Sequence, residues 1–135
     1  MMRTMVSTTL LLPLCAVCSQ AATLTLAQDG QTDYYVLTDR NATAAEKHAA
    51  KEFVSFFEQV TGARMPVRHS SKLPNRPTII IGPNPAIEAV APDLSLDGLG
   101  ADGFVIETRG SNLILAGGRP RGTLYAVYAF LEDVV

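Results

Sequence analysis

The chain of 135 residues has no tryptophan and only two cysteines, Cys15 and Cys18. Both cysteines lie in an N-terminal segment that reads as a removable leader. The mature chain would then contain no thiol, which excludes a disulfide-stapled domain and a cysteine nucleophile. Charge of one sign is also missing: the net charge is −2, and acidic and basic residues are interspersed without runs. That pattern gives no electrostatic footprint for nucleic acid or an anionic membrane as a main partner. No apolar stretch reaches the ~20 residues that cross a bilayer, because Pro13 interrupts the longest one. His48 and His69 stand far apart with no HExxH or other ligand spacing, so no metal site is expected. The acidic residues fall in turns or on solvated helix faces, so no convergent catalytic pair is expected, and no catalytic or cofactor-binding residue is assigned.

Residues 1–21 have the three parts of a secretory signal: Arg3 as positive flank, an apolar run around Val6 to Val17, and the small-x-small site Ser19-Gln20-Ala21. Cleavage is expected after Ala21, which places the mature chain in the secreted or periplasmic space with no membrane span. A lipoprotein is the lesser alternative, since Leu14 and Val17, not small residues, precede the two cysteines. The remaining residues, 22–135, form one domain, enough for a real core but short for a complete hydrolase.

Two strands are expected first, Thr23 to Leu26 and Tyr34 to Leu37, joined through an Asp29-Gly30 turn. Thr43 to Glu46 reads as a capping box, and the helix it starts carries Ala45, Ala49, Phe53, Phe56, Phe57 and Val60 on its core face, with Glu46, Lys47, Lys51, Glu52 and Glu58 solvated, until Gly62 stops it. A short strand over Met65 to Arg68 precedes the β-branched run Thr78 to Ile81, which reads as a central strand, and a short helix can follow up to Val90. Gly103 to Thr108 and Asn112 to Ala116 form a hairpin about Arg109-Gly110-Ser111. A last helix begins near Arg119 or Arg121 with Pro120 in its first turn, and Leu124, Val127, Tyr128, Leu131 and Val134 form its apolar stripe. The order β-β-α-β-β-α-β-β-α predicts an α/β (α+β) sandwich, a mixed sheet with two main helices on one face.

Gly117-Gly118-Arg119-Pro120-Arg121-Gly122-Thr123 occupies the place of a phosphate loop but lacks its lysine, which argues against nucleotide binding; no cofactor is expected. Arg119 and Arg121 at a helix N-terminus form the one weak candidate anion site. Tyr34 and Tyr35 are adjacent on a strand, so one must face outward as the sole aromatic platform for a sugar ring. Asn41-Ala42-Thr43 is a glycosylation sequon that competes with the capping role of Thr43.

The stretches AAEKHAAKEFVSFFEQVTGARMPV, TIIIGPN and DGFVIETRGSNLILAGGRPRGTLYAVYAFLED together resemble the N-terminal domain of family-67 α-glucuronidases. They are similar, more distantly, to the second domain of bacterial β-N-acetylhexosaminidases. The resemblance covers Leu24 to Val135. It implies a non-catalytic accessory domain beside a TIM-type catalytic barrel, in an enzyme of xylan or other polysaccharide breakdown. Val134-Val135, with no stop signal after them, fit a chain cut before that barrel. The alternatives are a free-standing carbohydrate-binding module, with polysaccharide as partner, and a protein-interaction module.

Overall fold

Thr43 sits in extended backbone, with φ −67° and ψ 164°, and its hydroxyl accepts from the Glu46 amide at 3.2 Å. The Glu46 carboxylate accepts in return from the Thr43 amide at 2.9 Å, which completes the expected capping box. From there α1 (Ala44–Thr61) runs 18 residues to Gly62, whose left-handed φ of 75° lets its amide close on the Glu58 carbonyl. The computed structural model describes residues 24–134. The expected leader, its cleavage after Ala21 and Val135 lie outside the described residues.

Five strands make one mixed sheet: β1 (Tyr35–Thr38), β2 (Val67–His69), β3 (Thr78–Ile81), β4 (Phe104–Arg109) and β5 (Asn112–Gly117), in the order β2-β1-β3-β5-β4. All neighbouring pairs are parallel except β4 and β5, the expected hairpin, which closes as Arg109 pairs with Asn112. β3 is buried along its whole length, as a continuous run of Thr and Ile in a central strand should be. Two further helices complete the fold, α2 (Ala86–Val90) and α3 (Gly122–Val134).

Alternate residues of each strand feed two cores. Val36, Ile79, Ile81, Leu113 and Leu115 meet α1 and α3 through Ala49, Phe53, Phe57, Ala126 and Val127. Phe53 is fully buried, stacked on Phe57 at 5.9 Å and tilted against Phe130 at 5.8 Å. Leu37, Ile80, Ile114 and Ala116 face the other way, under α2 and the loop that carries Leu94 and Leu96. The sandwich with two main helices on one face is therefore observed.

Several expectations change. Leu24 to Leu26 form no strand: the alternation is satisfied by one-sided packing of Leu24 and Leu26 on the core, without a ladder partner, and Thr23 lies outside the described residues. The Asp29-Gly30 turn is present, bridging Gln28 and Gln31. Phe56 and Val60, assigned to the core face of α1, are exposed, because the sheet and α3 cover a narrower arc than the apolar stripe occupies. Tyr128 is exposed on α3 for the same reason, and Phe130 takes an inward place. Nothing is described of the Val134 side chain. Glu46, placed on the solvated side, is buried. Finally, α3 begins at Gly122, and Pro120 lies in the preceding turn instead of the first helical turn.

Candidate functional site

The double-glycine turn that joins β5 to α3 packs backbone on backbone. A Cβ on Gly118 would stand 1.5 Å from the Gly100 carbonyl oxygen, and one on Gly122 would stand 2.3 Å from that of Gly103. The amides are consumed internally: Gly118 donates to Gly103 at 2.9 Å, Arg121 to Ala101 at 3.0 Å and Gly122 to Gly118 at 2.8 Å. Thr123, in the place where a phosphate loop has its metal-binding hydroxyl, instead accepts from the Gly117 amide and is buried. Little of a phosphate cradle is left, since such a cradle needs amides that point outward.

Arg119 and Arg121 diverge from this turn to separate carboxylates of the same chain. Arg119 Nε donates to Glu46 Oε1 at 2.7 Å and its Nη2 to Oε2 at 3.4 Å, so Glu46 closes the capping box and the ion pair at once. That carboxylate raises the Arg119 pKa above the usual guanidinium value. Arg121 Nε donates to Asp102 Oδ1 at 2.6 Å, and the pairing lowers the Asp102 pKa. An external anion would meet these arginines only in competition with Glu46 and Asp102. Gly82 allows Glu46 its buried place, since a Cβ there would lie 3.3 Å from the Glu46 Cγ.

Other carboxylates are similarly engaged. Asp93 and Glu107 both hold Arg109, at 2.7 and 2.6 Å, and Glu58 holds Arg64 at 2.8 Å. His48 lies on the exposed face of α1, 3.8 Å from Glu52, and His69 bonds Thr38 through Nδ1. Among the described residues no group of three or more His, Cys, Asp or Glu can hold a metal ion, and no helix is long and apolar enough to cross a membrane.

The two tyrosines separate as their adjacency requires. Tyr34 is buried, donates to the Ser111 carbonyl at 2.7 Å, and has its pKa raised by that burial. Tyr35 faces outward, but the Arg76 guanidinium lies 3.6 Å over its ring, where a sugar would stack. The Asn41 side of the sequon is an exposed turn, while Thr43 serves as the cap.

What the sequence reading missed is an apolar surface. Phe56, Val60, Phe104, Ile106, Tyr125 and Tyr128 are the exposed large apolar side chains among the described residues, at 37% to 52% of their full areas. All six lie on the helix side of the sheet. Phe104 and Ile106 reach it from β4, because Ile106 pairs with Leu115, which faces the helices, and Val105 points to the opposite core. Phe56 and Tyr128 meet with Leu131 around a shallow pocket rimmed by Glu52 and Glu132. Six such groups on one side exceed the scattered single residues of an ordinary surface. The signal was present in the sequence as an apolar stripe too wide for one contact.

Residues 19–130 match the family model described as glycosyl hydrolase family 67 N-terminus. No curated protein matches the chain.

Proposed function

The chain belongs to the family of glycosyl hydrolase family 67 N-terminal domains, and from that premise we propose that it is the non-catalytic accessory domain of a secreted α-glucuronidase-like enzyme of xylan breakdown. As a family-67 N-terminal domain it is an accessory domain of a glycoside hydrolase, with a catalytic domain as its partner in the full protein. In this reading residues 1–21 are the leader that exports the protein. The outer face of α1 and α3, with the adjoining side of β4, then covers a TIM-type barrel of the same polypeptide. The carrying observation is that Phe56, Val60, Phe104, Ile106, Tyr125 and Tyr128 all lie on that one side. A domain face that is buried in the whole protein retains large apolar groups at its surface.

A sugar-binding module loses its expected sole platform, because Arg76 covers Tyr35. Contrary to that expectation Phe56, Phe104, Tyr125 and Tyr128 are also exposed rings, but they sit with Val60 and Ile106 on the side assigned here to the barrel. Sedimentation of the purified chain tests the docking face. Concentration-dependent association is expected, and Phe56→Ser with Tyr128→Ser should abolish it while costing less than about 1 kcal/mol each in stability. A chain that stays monomeric at high concentration and binds no apolar dye would overturn the docking face. A reading frame that stops directly after the Val135 codon would remove the barrel from the reading.

A further inference from the structure

The charges are less evenly distributed than the chain-wide balance indicates. Between Glu58 and Glu88 the sequence has no carboxylate, yet it carries Arg64, Arg68, His69, Lys72 and Arg76. This stretch forms β2, the edge strand of the sheet, and its flanks. Lys47 and Lys51 on α1 face the same edge. A groove runs between them, floored by Ala50, Val54 and Val67 and rimmed by Lys47, Lys51 and His69. No acidic residue lines it. No ion pair among the described residues engages Lys47, Lys51, Arg68 or Lys72.

The backbone beside this groove is open on one side. Pro66 accepts from Val36 and Ser70 donates to Thr38, so the alternation of a parallel ladder turns the N–H and C=O of Val67 and His69 away from β1. No backbone bond among the described residues uses them. We propose that this edge and its groove accept an extended acidic peptide segment as an added strand. The open backbone groups would supply main-chain hydrogen bonds, and the floor of Ala50, Val54 and Val67 would take an apolar side chain. Lys47 and Lys51 would contact carboxylates on the groove side of the added strand, and Arg68, on the opposite face of β2, those on its other side. Basic residues on an edge strand also repel a second copy of the same edge. They leave only a strand of opposite charge free to pair. An anionic polysaccharide would use the same cations but not the outward backbone groups, and it would lack an open aromatic ring on which to stack.

The test is an amide-resolved NMR titration of the whole chain with a capped synthetic hexapeptide of one central valine flanked on both sides by aspartates, so that the aspartates two positions from the valine share its face and reach Lys47 and Lys51. Saturable shifts are expected at Val67 and His69. Lys47→Glu with Lys51→Glu, both at exposed positions, should weaken binding about tenfold, and the arginine replacements should preserve it. Val67→Pro, which removes an amide that β1 does not use, should abolish it while the spectrum stays that of the folded chain. The proposal is overturned if no saturable shift occurs, or if the same hexapeptide with lysine in place of each aspartate binds equally. It is also overturned if the charge reversals leave the affinity unchanged, or if a uronate oligosaccharide reproduces the shifts at the Val67 and His69 amides.

Discussion

The two faces of the sheet are covered by different means, and only one of them is left with unfinished business. Over one face lie α1 and α3, which bury Phe53, Phe57 and Val127 inward and present Phe56, Val60, Tyr125 and Tyr128 outward. Over the other lie the single turn-and-a-half of α2 and a loop, whose Leu94 and Leu96 are directed into the core. That loop is fastened at its rim by Asp93 to Arg109 and Asp102 to Arg121. A helix has a second side, and when that side is apolar it requires a partner. A loop one residue thick has no such side. The difference explains why, among the described residues, the exposed large apolar groups accumulate on the helical face.

This contrast can be broken or sharpened by substitution. Phe53→Ala should cost about 4 kcal/mol, since it removes a fully buried ring that joins α1 to α3. Leu94→Ala under the loop, at a half-buried site, should cost about 1 kcal/mol. Urea denaturation of both would show whether the helical face carries most of the stability. Gly118→Ala strikes both faces, because it drives a methyl into the Gly100 carbonyl where the loop meets the start of α3; a loss of about 3 kcal/mol is expected by the same measurement. Arg119→Ala leaves the Glu46 carboxylate buried with only its cap partner. Because the Arg119 side chain is half exposed and water can enter, the expected cost is about 1 kcal/mol in thermal unfolding, well short of that of a fully buried pair.

The smallest effect is on pH dependence. Asp93 and Asp102 have pKa values held below the ordinary 3.8, chiefly by hydrogen bonds from Arg109 and Arg121. A carboxylate whose folded pKa is depressed contributes stability above its unfolded value, and that contribution is lost as the pH falls through the folded one. Amide protection factors in residues 93–103, the intrinsic rate at each pH divided by the observed one, should therefore fall below about pH 4, before those in α1 do. Asp93→Asn with Asp102→Asn should make the loop's protection factors independent of pH in that window. Unaltered loop protection down to pH 2 would show that the rim pairs do not hold this cover in place.

Much of the fold was legible because its signals are local. The capping box at Thr43, the stop at Gly62, the central run Thr78 to Ile81 and the hairpin at Gly110 each depend on residues within a few positions of one another. The errors arose where the deciding partner is distant. Glu46 carries the helix-surface pattern of a solvated residue, but Arg119 reaches it from the other end of the chain and Gly82 makes room for it. Leu24 to Leu26 alternate like a strand, and only the absence of a ladder partner decides otherwise. Phe56 and Tyr128 are apolar at helical spacing, and periodicity cannot say whether the surface they meet belongs to this domain. The candidate anion site was legible as two arginines in a turn, while their carboxylate partners were not.

The order of strands also governs how the chain reaches this structure. β3 stands at the centre, yet both of its partners come from elsewhere in sequence: β1 from before α1 and β2, and β5 from beyond α2 and β4. Only β4 and β5 meet across a tight turn, so their hairpin closes in microseconds while the parallel centre waits on slower loop closure. While the chain folds, Ile79, Ile80 and Ile81 therefore have one flank uncovered until Leu113, Ile114 and Leu115 pair with them. During that interval an unpaired edge of the central strand is open to misassembly.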